Sequence, residues 1–148
     1  MAHTCVLGLV HIVFSTKNRQ KYIPAELQPK LWAYLGGIAR QNGLTAVAVG
    51  GTEDHVHILL ALPATMALAK AVQLLKGGSS KWIHDTHIKN FAWQSGYGEF
   101  TIGISQKEAT IAYIATQPEH HKKHDFQEEF LAFLRKHGIA YDPRYIWG

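Results

Sequence analysis

The stretch EDHVHILLAL, residues 53–62, decides how this chain folds. In a β-strand successive side chains point to opposite faces, so residues two apart share a face. Val56, Ile58, Leu60 and Leu62 then make one apolar face, and His55 and His57 stand together on the other. Two imidazoles side by side are either a chelating pair or buried, hydrogen-bonded histidines, and the strand alone leaves both readings open.

Working outward, GGTED (50–54) is turn-rich and links the histidine strand to a second strand, LTAVAV (44–49), as an antiparallel hairpin. Upstream, Leu27, Leu31, Leu35 and Ile38 recur at helical spacing and predict a helix over 26–41, with Pro24 before it and Gly43 as its stop. CVLGLVHIVF (5–14) is nearly continuous apolar and reads as a strand buried on both faces. Downstream, Thr65 is placed to cap a helix over 66–76 that ends before Gly77–Gly78, and YGEFTIGI (97–104) alternates as a fourth strand. Ser105 with Glu108 has the capping-box spacing for a helix reaching about residue 117. Asp125 opens a last helix over 126–137, with Glu128 and Glu129 at its positive end and Gly138 as its stop. The order β, α, β, β, α, β followed by two helices is the split βαβ pattern of an α+β antiparallel sheet with helices on one side.

Composition narrows the class. With 148 residues and 47% hydrophobic content, the chain fits one domain, 1–148, with a real core. Its apolar runs are far shorter than the roughly 20 residues of a spanning helix. MAHTCVLGLVHIVF lacks the basic start and small-residue cleavage site of a signal peptide. One cysteine, Cys5, excludes an internal disulfide, suits a reducing cytoplasm and reads as a small buried hydrophobe. The net charge of +4 is compatible with nucleic acid but does not select it.

The helix KEATIAYIATQ (107–117) carries a second unusual pair. Ile111, Ile114 and Ala115 share a core face, while Tyr113 and Gln117 are four apart and lie one turn above the other. At 100° per residue that pair is displayed roughly opposite the apolar stripe. Taken alone it is an exposed tyrosine beside an ordinary glutamine.

Taken together, HIVFSTKNR, DHVHILL, LLKGGSSKW, FAWQSGYGEF, YIATQPEHH and FQEEFLAFLRKHGIAYDPRYIW occur in order along nearly the whole chain. In these segments the sequence resembles the single-tyrosine HUH transposases of bacterial insertion sequences and their REP-associated relatives. The resemblance implies a ferredoxin-like (RRM-like) fold. It implies that His55, His57 and Gln117 bind a divalent metal and that Tyr113 is the nucleophile; such a mixed donor set suits Mg²⁺ or Mn²⁺, though imidazole alone would also accept zinc. It further implies a homodimer, with an active site shared between subunits in many members, and a substrate of single-stranded DNA with hairpins at the element ends. Lys17, Arg19, Lys76 and Lys81 lie in matching segments and are the expected phosphate contacts, set against the alternative of solvated surface charges. Trp82, Trp93 and Tyr97 read as core rather than as base-stacking platforms.

The residue types suit that chemistry. Transesterification of a phosphodiester needs a nucleophile and a cation to draw charge from phosphate oxygens. A phenol titrates near 10, so it needs help to ionise near neutrality. A phosphotyrosine conserves the broken ester, and a free DNA 3′-OH reseals the strand without ATP. Two departures from the family pattern stand out: Thr116 occupies the place of an asparagine, and Pro118 disfavours helical geometry at Gln117. HHKKH (120–124) reads as a solvated basic turn, and YDPRYIWG as a packed rather than free terminus. A histidine-triad nucleotide hydrolase is excluded because position 59 is leucine. A binding-only module of the same fold, which has lost cleavage, is the competing reading.

Overall fold

The histidine strand sorts two layers. Val56, Ile58 and Leu60 enter the larger aliphatic core, whereas Leu59 on the other face packs with Leu9 and Ile114. The computed structural model describes residues 3, 5–144 and 146–147; Met1, Ala2, Thr4, Tyr145 and Gly148, at the two ends of the expected 1–148 domain, lie outside the described residues.

The strands are β1 (Leu9–Ser15), β2 (Thr45–Gly51), β3 (His55–Ala61) and β4 (Gly98–Ile102), in the spatial order β2-β3-β1-β4 with every pairing antiparallel. Helices α1 (Gln28–Gln41) and α2 (Leu68–Thr86) connect them, and α3 (Lys107–Ala115), α4 (Gln117–His120) and α5 (Phe126–Lys136) follow. This is the α+β ferredoxin-like arrangement expected from the element order. The crossover helices α1 and α2 lie on one side, where Leu31, Leu35, Val72 and Leu75 meet Val10, Ile12 and Phe14 of β1. The later elements lie over the opposite side, where Ile114 of α3 meets Leu9 and Leu59. There Phe126 and Leu134 of α5 meet Val13 and Phe100. Among the described residues, no helix is long and apolar enough to cross a membrane.

Several boundaries differ from expectation for local reasons. The first strand starts at Leu9, leaving Cys5 exposed rather than buried. The second crossover helix starts at Leu68 without a side-chain cap from Thr65, and it runs through Gly77–Gly78 to Thr86. Gly78 is where the two helices approach: an added Cβ would lie 2.9 Å from Ile38 Cδ1. Ser105 and Glu108 do not form the capping box. Instead the Gly103 amide donates to Gln106 Oε1 at 3.0 Å, one turn before α3 starts. Asp125 does cap α5, accepting from the Glu128 amide at 2.8 Å. Gly43 ends α1 with φ +73°, a backbone region that favours glycine. From the C-terminal segment, Ile146 and Trp147 pack against the α5 cluster, as expected of a terminus rich in large apolar groups.

Gly50 on β2 fixes how closely the tyrosine helix lies on the sheet. A Cβ there would sit 2.5 Å from the carbonyl oxygen of Ile114, a backbone atom that cannot rotate away. Gly50→Ala is therefore expected to lift the end of α3, lowering stability by about 1–3 kcal/mol. Urea unfolding measures that loss, and an unchanged midpoint would show that the helix is not seated on this glycine.

Candidate metal and nucleophile site

The hairpin places both histidines at the end of β3 with no side-chain exposure. A buried imidazole needs partners for both nitrogens. His55 Nδ1 lies 2.7 Å from Asp54 Oδ1 and 3.0 Å from Thr52 Oγ1, both supplied by the turn just before the strand. His57 Nδ1 lies 2.8 Å from His11 Nε2, which reaches it diagonally from β1, where Val13 is the direct partner of His57. With each Nδ1 engaged, the two Nε2 atoms face outward from the sheet toward the same acceptors. This is the outer-shell arrangement that orients metal-binding imidazoles.

Those acceptors come from the late helices. Glu129 Oε1 lies 2.9 Å from His57 Nε2 and 3.5 Å from His55 Nε2, and Gln117 Oε1 lies 3.0 Å from His55 Nε2. Tyr113 donates its hydroxyl to the other Glu129 oxygen, Oε2. The Tyr113 and His57 rings are 5.7 Å apart between centroids. The phenol of a late helix and the imidazole pair thus meet within one chain.

Gln117 needs a correction. Sequence spacing displays it away from the helix's packing surface, but the structure buries it completely. The cause is Pro118: α3 stops at Ala115, Thr116 leaves helical geometry (φ −105°, ψ 21°), and Pro118 sits in the first turn of the separate α4. There its missing N–H costs no hydrogen bond. The break directs Gln117 onto the sheet and leaves Tyr113 half-buried at the groove above it.

Burial and mutual charge set the titration of the cluster. Burial lowers His57 to about 4, against the raising effect of Glu129. Burial, reinforced by His57, lowers His11 to about 3. Burial also works to raise Glu129, but the close imidazole nitrogens of His121 and His57 prevail and hold its carboxyl well below the usual carboxylate range. Tyr113 is pushed above its ordinary value, first by burial and then by the charge of Glu129. At neutral pH His11 and His57 are therefore neutral, Glu129 is a carboxylate and the Tyr113 phenol is protonated.

The donor chemistry fits a divalent cation. His55, His57, His121 and Glu129 each offer a ligand atom within 4.8 Å of the others, and the Gln117 oxygen adjoins them. Of the expected DNA contacts, Lys17 and Arg19 form a 3-10 turn directly after β1, whose end pairs with His55. Arg19 also lies 5.8 Å over the Trp147 ring. Lys81 is exposed and pairs with Asp85 at 3.1 Å. Lys76 is used differently: its ammonium donates to the carbonyls of Gln94 and Gly96 at 2.6 and 2.9 Å and is half-buried, which lowers it to about 8. Trp93 is buried in the core, and Trp82 stacks on Tyr34.

Three residues of the cluster escaped the sequence reading. His121 belongs to the segment read as a solvated basic turn, yet its ring centroid lies 4.3 Å from that of His55. Glu129 reads locally as a complement to the helix dipole, a role its neighbour Glu128 fits at the exposed surface. The missed signal is that Glu129 stands on the stripe of Phe126, Phe130, Phe133 and Leu134, where a carboxylate is out of place without partners. His11 likewise interrupts an apolar strand.

The IS200-like transposase family matches residues 5–117. The chain is 34% identical over 114 residues to the ISDra2 transposase TnpA of Deinococcus radiodurans, covering 72% of this chain and 81% of that one. It is 26% identical over 110 residues to the transposase of insertion sequence element IS200 from Salmonella typhimurium, covering 70% and 72%. A solved structure from Deinococcus radiodurans R1, described as a transposase, superimposes with TM-score 0.64 at 26% identity, over 79% of this chain and 95% of that one. A REP-associated tyrosine transposase bound to a REP hairpin shares the fold with TM-score 0.60 at 16% identity, over 82% and 74%. Together with the ferredoxin-like sheet and the histidine pair on its inner strand β3, these likenesses mean that the chain belongs to the IS200-like transposase family.

Proposed function

We propose that this chain is one catalytic domain that cuts and rejoins single-stranded DNA by transesterification, with Tyr113 as nucleophile. The observation that carries the proposal is the hydrogen bond from the Tyr113 hydroxyl to the carboxylate that also touches His57. His55, His57 and Gln117 hold a divalent cation, Mg²⁺ or Mn²⁺, which when bound withdraws charge from the phosphate oxygens. The Tyr113 oxygen attacks phosphorus, forming a Tyr–O–P bond as the P–O3′ bond breaks. The phenol's proton is lost and the departing 3′ oxygen gains one. In the reverse sense, a DNA 3′-OH attacks the 5′-phosphotyrosine and releases the phenol. One phosphodiester is made for each one broken, so no nucleotide is consumed.

The strand runs along the groove over Tyr113, about 540 Å³ in volume, whose lining includes His120, His124, Arg135 and Lys136. Lys17, Arg19 and Lys81 add phosphate contacts, with Lys76 holding the 94–96 loop in place. The substrate is DNA with hairpins at the element ends, the protein acts in the cytoplasm as a homodimer, and each Tyr113 serves the imidazole pair of its own chain. The REP hairpin bound by the second solved relative supports the choice of substrate. The contact of Tyr113 with Glu129 within one chain supports action in cis.

Incubation with 5′-labelled hairpin DNA and Mn²⁺ tests the function: a covalent protein–DNA adduct is expected, and binding without any adduct would favour the module that has lost cleavage. Mixing Tyr113→Phe chains with His57→Ala chains should leave the adduct absent, whereas recovery would place the tyrosine in the partner's site. Lys17→Ala and Arg19→Ala should each flatten the salt dependence of DNA binding by about one unit of log–log slope. Lys76→Met should instead lower the unfolding midpoint, and a flattened slope with unchanged stability would make Lys76 a phosphate contact.

A further inference from the structure

We propose that His121 and Glu129 are metal ligands alongside His55 and His57, so that the segment after residue 117 completes the cation site. The inference rests on the cation-dependent reading above but concerns residues beyond the family match, which ends at Gln117. Three observations carry it. The four ligand atoms lie within 4.8 Å of one another. The Nε2 atom of His121 is buried without a hydrogen-bond partner among the described residues; Glu129 Oε2 is 3.2 Å away but outside hydrogen-bond geometry. The Glu129 carboxylate is 8% exposed, and the nitrogens gathered on it belong to imidazoles, with the Tyr113 hydroxyl on its second oxygen. A buried carboxylate surrounded by imidazoles, one of them with an unused nitrogen, is a donor set for a cation.

The chemistry of the set also selects the metal. Magnesium prefers oxygen ligands and sheds its water reluctantly, whereas imidazole nitrogens suit first-row transition ions. Three imidazoles and one carboxylate therefore favour Mn²⁺, Co²⁺ or Zn²⁺ over Mg²⁺. The second Glu129 oxygen then ties the phenol of Tyr113 to the same centre. Glu129 is thus both a ligand and a positioning residue for the nucleophile.

The test is binding of Co²⁺ to the metal-free full chain, followed by the visible absorption of the bound ion and by calorimetry. Glu129→Gln and His121→Gln should each weaken Co²⁺ binding at least ~10-fold and change the absorption bands. Co²⁺ should also persist against a large excess of Mg²⁺. A second measurement needs no variant: on titration with diamagnetic Zn²⁺, the imidazole ¹⁵N signal of His121 Nε2 should shift together with those of His55 and His57. An unshifted His121 signal, or wild-type Co²⁺ affinity and bands in both folded variants, would overturn the proposal. If His55→Ala abolishes binding while these variants do not, the two-histidine site stands and this inference falls. If the metal results hold but no DNA adduct forms, the ligands stand and the transposition chemistry falls.

Discussion

Tyr113→Phe is expected to remove the covalent DNA adduct entirely, with the rate of strand cleavage falling at least ~10⁴-fold. The change deletes one oxygen and leaves the ring in its place between His57 and Phe133. The lost interaction is the hydrogen bond to Glu129, whose carboxylate retains His57 at 2.9 Å. The fold should therefore survive, as should DNA binding, whose charge lies elsewhere on the surface. Denaturing gel electrophoresis of protein with labelled hairpin DNA measures the adduct, and filter binding on the same samples measures affinity. Loss of both together would point to a collapsed site instead of a missing nucleophile. An adduct persisting in the variant would assign the chemistry to another residue.

The second large effect is acid lability of the metal-free protein. Relative to an ordinary value of 6.5, His57 is lowered to about 4 and His11 to about 3. Between those limits and 6.5 the unfolded chain binds more protons than the folded one, so stability falls as pH falls. Each histidine contributes roughly 1.4 kcal/mol per pH unit across its window. Glu129, also lowered in the fold, adds to the loss below its ordinary value of 4.5. His121 acts in the other direction. Burial opposes its charge but Glu129 raises it, so its contribution is present at low pH and is lost as pH rises above 6.5. Asp54, lowered by its bond to His55 against the opposing effect of burial, gives further loss at acid pH. The sum for this coupled cluster is on the order of 5 kcal/mol between pH 7 and pH 4, comparable to the whole stability of many domains. Urea unfolding in EDTA at pH 7, 6, 5 and 4 measures it. A flat profile would mean that protons enter the cluster without cost, against the burial of both histidines. Glu129→Gln should shallow the acid limb below pH 4.5 because it removes one of the titrating groups.

The core elements were legible because their pattern is local. The alternation in VHILLA and the helical spacing of Leu27, Leu31, Leu35 and Ile38 reflect one buried face each, and such faces are written in the order of residues. The extension of α2 through Gly77–Gly78 was not legible, because glycine ends a helix in isolation but permits close contact when Ile38 of another helix covers it. Similarly, the capping-box spacing of Ser105 and Glu108 gave way to Gln106, a choice made by how the chain leaves β4.

The candidate site divides along the same line. From the order of residues alone came the α+β sheet and the shared face of His55 and His57, whereas the break at Thr116 overrode the helical spacing of Tyr113 and Gln117. The sheet and the shared face depend on strand and helix periodicity, which act over a few residues. Only the tertiary structure brought His11, His121 and Glu129 to that face, from a neighbouring strand, a turn and a helix far along the chain. Their placement depends on how α5 docks on the sheet, and no local pattern encodes a contact between segments that meet only after the core has formed.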